Sequence, residues 1–208
     1  LVHFWSLSIE EQFYVLWPLL ILGIGWVVGR RRPESVTCAL GVAIASLVAV
    51  SLWASIVLTD RLGPEAYYLT HTRLWEMGVG AGLALLGPHL GRIPRRLADA
   101  AAVVALVSLV LVATRLDEST AFPGSVALVP VLSSAVLVAT AAPGSTAVSR
   151  LLSWRPLVAL GCLSYAWYLW HWPAIGLGLL FAERVGWSAR PGVVTALAVA
   201  ASLGLPAA

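Results

Sequence analysis

Long apolar runs without a charged residue constrain this chain more than any other feature of its sequence. One of them, Val36–Leu58, holds 23 residues, and a helix needs roughly 20 to cross about 30 Å of hydrocarbon. The sequence predicts seven such spans: Gln12–Gly29, Val36–Leu58, Tyr68–Gly87, Leu97–Thr114, Gly124–Ala142, Leu157–Ala182 and Pro191–Ala208. The expected fold is therefore all-α, a polytopic transmembrane helical bundle with about seven membrane helices.

The composition supports a membrane protein and excludes several other classes. Hydrophobic residues make up 60% of the chain and charged residues 11%, whereas soluble domains carry about 25% charged residues. This argues against a cytosolic enzyme, a disordered tail or a nucleic-acid binder. Cys38 and Cys162 both lie inside apolar runs, a pattern that indicates neither a disulfide framework nor a metal site.

Arginine is distributed unevenly between the loops. Eight arginines follow the first, third and fifth predicted spans: Arg30, Arg31, Arg32, Arg92, Arg95, Arg96, Arg150 and Arg155. The opposite loops hold four: Arg61, Arg115, Arg184 and Arg190. Short loops rich in arginine stay in the cytoplasm, so the first helix is predicted to run from outside to inside.

The two ends of the chain suggest a fragment of a longer protein. It opens without an initiator methionine and closes within an apolar run. We expect residues 1–208 to form one partial membrane domain, with further helices before it, and the apolar C-terminal end leaves open a further part after it.

The first polar cluster lies at the start of the chain. Ser8 and Glu11 have the S-x-x-E spacing of a capping box, so Glu11 is open to a capping or a functional interpretation. Glu10 lies one helical turn after Ser6 and one before Tyr14, on a common face. A carboxylate there could orient a histidine or accept a proton from a sugar hydroxyl.

The second cluster precedes a glycine-rich run. Arg73 and Glu76 are three residues apart and can pair along one side of a helix. Arginine can hold a carboxylate, a phosphate or a pantetheine chain, although a snorkelling arginine with a counter-ion is the simpler interpretation. Gly78, Gly80 and Gly82 form a small face suited to close helix packing.

The third cluster lies in the sixth predicted span. Gly161, Ser164, Tyr168 and His171 follow a 3-4-3 spacing and form one stripe. Pro173 is expected to kink this helix. His171 could line a pocket or simply pack through a hydrogen bond.

All three clusters fall towards the predicted outer ends of their helices. Ionisable residues at membrane depth usually face a bundle interior or a cavity. The sequence therefore predicts one polar pocket that opens to the outside and is built by the first, third and sixth helices.

Together the clusters resemble the acyltransferase 3 family of integral membrane proteins. Residues His3–Pro18 are similar to its H-x-W-S-L-S-x-E-x-Q-F-Y-x-x-W-P block. Residues Thr70–Gly82 and Leu160–Pro173 are similar to its T-x-T-R-x-x-E-x-x-x-G and L-G-x-x-S-Y-x-x-Y-L-x-H-x-P blocks. The resemblance implies transfer of an acyl group, often acetyl, from acyl-CoA to hydroxyls of envelope carbohydrates such as lipopolysaccharide and peptidoglycan, or of glycosylated metabolites. It also implies a bacterial plasma-membrane location.

The resemblance also implies roles for individual residues. The family's candidate catalytic histidine belongs to a helix that would precede Leu1, so this chain by itself is expected to be inactive. Three residues are expected in supporting catalytic roles: Glu10, Arg73 and Glu76. Five are expected to bind substrate: His3, Glu11, Ser164, Tyr168 and His171. No metal is implied.

Two rival interpretations remain open from the sequence. A transporter-like bundle could pass a polar solute through the same pocket, which suits a buried Arg–Glu pair and a proline-broken helix. A non-catalytic membrane scaffold would tolerate neutralisation of the buried charges.

Overall fold

The computed structural model describes residues 5–90, 93–117, 120–141, 146–185 and 191–202. Every regular element in these ranges is helical, which confirms the predicted all-α fold class. The α-helices are α1 (Trp5–Gly29), α2 (Val36–Leu62), α3 (Leu74–Leu90), α4 (Arg95–Arg115), α5 (Leu128–Ala139), α6 (Ala147–Leu152), α7 (Arg155–Arg184) and α8 (Pro191–Ser202). Short 3-10 helices cover Pro33–Ser35, Gly63–Tyr68 and Thr70–Thr72.

Three helices are long and apolar enough to cross a membrane, judged over the described ranges. They are α1, α2 and α4, while the apolar parts of α3 and α5 are shorter. Helix α7 has 30 residues but is not among the three, because its tryptophans, tyrosines, histidine and proline are less apolar than leucine or valine. The structure is that of a membrane protein, and the count of seven spans stays a prediction.

The chain forms two compact units, residues 1–150 and 151–208. In the first unit, α2 packs against α1 and α3, and α5 packs against α3 and α4. In the second, α7 packs against α8. The expectation of one membrane domain over the whole chain stays a prediction.

The first helix extends further upstream than predicted. It is already helical at Trp5, because no glycine or proline separates Trp5 from the predicted start at Gln12. Ser8 therefore lies inside the helix, where its hydroxyl accepts a hydrogen bond from the Gln12 side-chain amide at 3.3 Å. The capping interpretation of Ser8 and Glu11 is wrong, since a cap residue precedes the first turn.

The third span begins later than predicted. Gly63 has a φ of 59° at the end of α2, a conformation that favours glycine, and two 3-10 turns follow. The Thr72 hydroxyl donates to the carbonyls of Ala66 and Leu69 at 2.7 and 2.6 Å. This side-chain bonding competes with regular helix formation, so α3 begins only at Leu74.

The fifth span is also shorter than predicted. Gly124, its predicted first residue, has a φ of 39° and lies in a turn rather than in a helix. Helix α5 begins only at Leu128 and contains 12 residues, fewer than the roughly 20 that a full crossing needs.

Two of the three glycines in the first half of α3 allow a neighbouring helix to pack closely. A Cβ at Gly78 would lie 2.7 Å from Val48 Cγ2, and one at Gly82 would lie 3.7 Å from Ile44 Cγ2. The predicted close approach of α3 to another helix is thus confirmed for Gly78 and Gly82, with α2 as the partner. Gly80 has open space beside its Cα, so the prediction that it shares this packing face is wrong, because residues two apart point to different sides of a helix.

Candidate functional site

The candidate site centres on an ion pair at the start of α3. Arg73 Nη2 donates to Glu76 Oε2 at 2.9 Å, and the two side chains are only 19% and 20% exposed. The predicted pairing is therefore present. Glu76 lies in the first turn of α3, where the helix dipole favours a negative charge.

Two neighbouring aromatic rings contact the arginine of this pair. The Arg73 guanidinium carbon lies 4.8 Å from the Tyr67 ring centroid and 5.7 Å from that of Phe122. The two rings are themselves 5.8 Å apart. A guanidinium within about 6 Å of an aromatic face is attracted by the ring quadrupole. Arg73 therefore packs against two neighbouring rings that come from separate loops.

The backbone before α3 is fixed by a serine of α2. The buried Ser51 hydroxyl donates to the His71 carbonyl at 2.7 Å and accepts from the Trp75 backbone N–H at 2.9 Å. Trp75 is fully buried. Because Arg73 lies between these two bonded residues, a single side chain of α2 determines where the arginine leaves the backbone.

A second hydroxyl of α2 holds the loop that carries Phe122. The Gly124 N–H donates to the buried Thr59 Oγ1 at 3.0 Å. Ser51, Ser55 and Thr59 are all buried and recur every four residues along α2, so they share one face. This face joins the loop before α3 to the loop before α5.

A cavity of about 410 Å³ lies beside the ion pair. We call it the Arg73 cavity. Arg73, Glu76 and Gly80 border it on the α3 side and Ser134 on the α5 side. The rest of the lining is mostly apolar and includes Phe122. Its volume lies in the range of about 300–1,000 Å³ that is typical of small-molecule sites.

One carboxylate oxygen of the ion pair is buried without a hydrogen bond. Within the part of the chain that the structure describes, no donor bonds Glu76 Oε1. Buried acceptors are nearly always bonded, so this buried, unbonded oxygen is an unusual polar feature beside a mostly apolar cavity.

The first predicted cluster does not border this cavity. Glu10 is half-buried and Glu11 is exposed on α1, and neither is among the described residues that line the cavity. His3 lies outside the described residues. The roles expected for these three residues stay predictions.

The third predicted cluster forms the expected stripe on α7. The Ser164 hydroxyl donates to the Gly161 carbonyl at 2.7 Å. His171 Nδ1 lies 3.1 Å from the Trp167 carbonyl oxygen, and its ring centroid is 5.9 Å from that of Tyr168. Helix α7 continues through Pro173. Since this stripe belongs to the second unit, the single shared pocket stays a prediction, as does the kink.

Sequence reasoning missed the residues that shape the site around Arg73. Tyr67 and Phe122 were not singled out, although both are aromatic residues in loops beside predicted spans. The four-residue spacing of Ser51, Ser55 and Thr59 was a usable signal, because hydroxyls on one face of an apolar helix indicate a packed polar contact. Among the described residues, no group of three or more His, Cys, Asp or Glu could hold a metal ion.

The chain is similar to bacterial O-acetyltransferases. It is 36% identical over 188 residues to YrhL of Bacillus subtilis (strain 168), whose name assigns it provisionally to the peptidoglycan O-acetyltransferases. It is 29% identical over 187 residues to the peptidoglycan O-acetyltransferase OatA of Listeria monocytogenes. It is 28% identical over 183 residues to the O-acetyltransferase OatA of Staphylococcus aureus (strain NCTC 8325).

The similarity covers most of this chain and a minor part of each relative. The three alignments include 85%, 85% and 84% of the chain but 28%, 29% and 29% of the relatives. No protein-family model and no solved structure matches the chain. The names of these relatives agree with the acyl transfer to envelope carbohydrate that the resemblance implies.

Proposed function

We propose that this chain is part of a membrane O-acyltransferase that moves an acetyl group from acetyl-CoA to a hydroxyl of peptidoglycan or a related envelope carbohydrate. The observation that carries the proposal is the partly buried Arg73–Glu76 pair bordering a cavity of about 410 Å³. The similarity to named O-acetyltransferases supports it. A soluble enzyme is disfavoured by three helices that are long and apolar enough to cross a membrane.

We place the protein in the bacterial plasma membrane as a multi-pass protein. In the described structure, the loops before α3 and before α5 meet, because Thr59 bonds Gly124. At the start of α4, the Asp99 carboxylate accepts the Ala147 N–H at 2.9 Å. The arginine-rich loops are at the same end of the helices as the Asp99–Ala147 bond, which is the end opposite the Thr59–Gly124 bond. By the positive-inside rule the arginine-rich end faces the cytoplasm, so we expect the Arg73 cavity to lie towards the outer face, where the acceptor glycan lies.

The proposed reaction is a simple displacement at a thioester. A base removes the proton from an acceptor hydroxyl, and the oxygen forms a bond to the acetyl carbonyl carbon. The carbon–sulfur bond breaks, and the CoA thiolate leaves and takes up a proton. The main base is expected to be a histidine upstream of this chain, as the resemblance implies.

Arg73 and Glu76 are assigned supporting roles in that reaction. The guanidinium can stabilise the negative charge that develops on the carbonyl oxygen or bind the donor. Glu76 Oε2 orients the guanidinium at the wall of the Arg73 cavity. The apolar lining from α5 suits the acetyl methyl group and the pantetheine chain. Glu10 is proposed as a second supporting carboxylate, which would orient the upstream histidine.

The test uses the full-length protein in membrane vesicles with labelled acetyl-CoA and peptidoglycan. We expect Arg73→Ala and Glu76→Gln each to lower acetyl transfer by at least about 100-fold, the scale of losing one positioned charge-stabilising group. Arg61→Ala is the matched control, because Arg61 is an exposed arginine at the C-terminal end of α2 and does not border the cavity. Full transfer in both cavity variants, at normal membrane levels, would overturn the proposal.

A further inference from the structure

A second cavity adjoins the Arg73 cavity. It encloses about 830 Å³ and lies between the loop before α3 and the loop before α5. Tyr67, Tyr68, Asp117 and Thr120 are among its lining residues. Phe122 lines both cavities, so its ring is a wall that the two spaces share. We call the second space the Tyr68 cavity.

The Tyr68 cavity presents a fixed aromatic surface. Tyr68 is 52% exposed, and its ring meets the Tyr67 ring edge-on at 84°, with centroids 5.5 Å apart. Tyr67 is held in turn by the Arg73 guanidinium. A tyrosine ring supported on one side and open on another can stack on the C–H face of a pyranose, which is apolar although the ring's rim carries hydroxyls.

Another part of the lining carries polar groups suited to those hydroxyls. The Thr120 hydroxyl donates to Asp117 Oδ1 at 3.1 Å and accepts from the Asp117 backbone N–H at 3.3 Å. This mutual bonding positions the carboxylate at the cavity wall. An ionised carboxylate accepts hydrogen bonds only, and sugar hydroxyls are neutral donors.

The charge of this cavity disfavours the acyl donor. Asp117 is the charged residue among the described residues that line it. The described lining contains no arginine or lysine that could bind the phosphates of CoA, whereas an uncharged sugar ring needs no such partner. The Tyr68 cavity is therefore suited to a neutral carbohydrate, and the Arg73 cavity, with its guanidinium, to the reacting carbonyl.

We propose that the Tyr68 cavity binds a sugar ring of the acceptor glycan, stacked on Tyr68 and hydrogen-bonded to Asp117, beside the Phe122 ring that borders the ion pair. This deepens the proposed function and rests on it. It assigns the acceptor ring to one cavity and the transferred group to the other, with the attacking hydroxyl reaching past the edge of Phe122, which borders both. Glycan stacking at Tyr68 requires the ring but not its hydroxyl.

The test measures binding of a soluble chito-oligosaccharide, a β-1,4-linked N-acetylglucosamine chain, to the detergent-solubilised full-length protein by calorimetry. We expect Tyr68→Ala to weaken binding by about tenfold, because the stacking surface is lost. Tyr68→Phe should bind within about twofold of the wild type, since the ring remains. Asp117→Asn should weaken binding by about tenfold through loss of the charged acceptor.

Asp60→Asn is the matched control. Asp60 is an exposed carboxylate near the end of α2 that does not line the Tyr68 cavity, so its variant should bind normally. Wild-type affinity in both Tyr68→Ala and Asp117→Asn, or an equal loss in Asp60→Asn, would overturn the sugar site. If thermal unfolding shows that Tyr68→Ala does not fold, the oligosaccharide affinity of Asp117→Asn is compared with that of Asp60→Asn. Weaker binding in Asp117→Asn alone supports the sugar site, and equal affinities overturn it.

Failure of the sugar site and failure of the proposed function give different results. Normal acetyl transfer, with an unchanged acceptor KM in the Tyr68 and Asp117 variants, removes the sugar site and leaves the transferase. Oligosaccharide binding that these variants weaken, without acetyl transfer by the wild type, removes the transferase and leaves a carbohydrate site.

Discussion

The Arg73–Glu76 pair contributes to stability and, by our proposal, to chemistry, and the two contributions can be separated. Arg73→Ala would leave the Glu76 carboxylate, which is 20% exposed, without its guanidinium partner. Removing one partner of a buried ion pair is destabilising by about 3–5 kcal/mol. Since both side chains retain a little exposure, we expect a loss of about 3 kcal/mol in the free energy of unfolding.

Neutralising the remaining carboxylate should restore most of that stability. In the double variant Arg73→Ala/Glu76→Gln, no uncompensated charge remains, and the loss should fall to about 1 kcal/mol or less, because an amide is less costly to bury than a charge. Acetyl transfer should stay lost in the double variant, since the guanidinium that stabilises the carbonyl oxygen is still absent. Stability and activity should therefore separate.

The assay pairs thermal unfolding of the detergent-solubilised full-length protein with acetyl transfer in vesicles. Arg61→Ala controls for the loss of an exposed arginine. Recovery of transfer in the double variant would show that the pair is structural only and would refute its proposed role. A single variant Arg73→Ala as stable as the wild type would refute the description of the pair as buried and mutually dependent.

Two further predictions concern packing around the same site. Gly78→Ala should destabilise the protein by about 1–3 kcal/mol, because its Cβ would lie 2.7 Å from Val48 Cγ2. Gly80→Ala should unfold at the wild-type temperature, yet it should transfer acetyl more slowly, because the added methyl group narrows the Arg73 cavity. Equal stabilities for Gly78→Ala and Gly80→Ala would contradict this. Ser51→Ala should lose about 1–3 kcal/mol by leaving the buried Trp75 N–H unpaired. An unchanged unfolding temperature in that variant would argue against the observed bond.

The helix boundaries show where the local sequence is sufficient to predict the ends of a helix and where it is not. Helices α2 and α4 begin and end within a few residues of the predicted spans, because charged residues bound their apolar runs. The third and fifth spans were predicted too long. There, Thr72 bonds the carbonyls of Ala66 and Leu69, and Gly124 turns with a positive φ. Hydropathy averages over such local bonding and does not detect it.

In the candidate site, too, one contact could be predicted from the sequence and another could not. Pairing of Arg73 and Glu76 follows from their three-residue separation, which any helical turn brings together. The contact of Phe122 with Arg73 does not follow from spacing, because the two residues are far apart in the chain. It depends on Thr59, whose hydroxyl bonds Gly124.

The sequence by itself determined that this chain is helical and membrane-embedded and that an arginine and a glutamate lie together at the start of one helix. These properties depend on apolar run length and helical period, both of which are local. Only the tertiary structure decided that two aromatic rings contact the arginine and that two cavities share Phe122 as a wall. Those features arise where separate loops pack against one face of α2, and contacts between distant segments leave no periodic signal in a single chain.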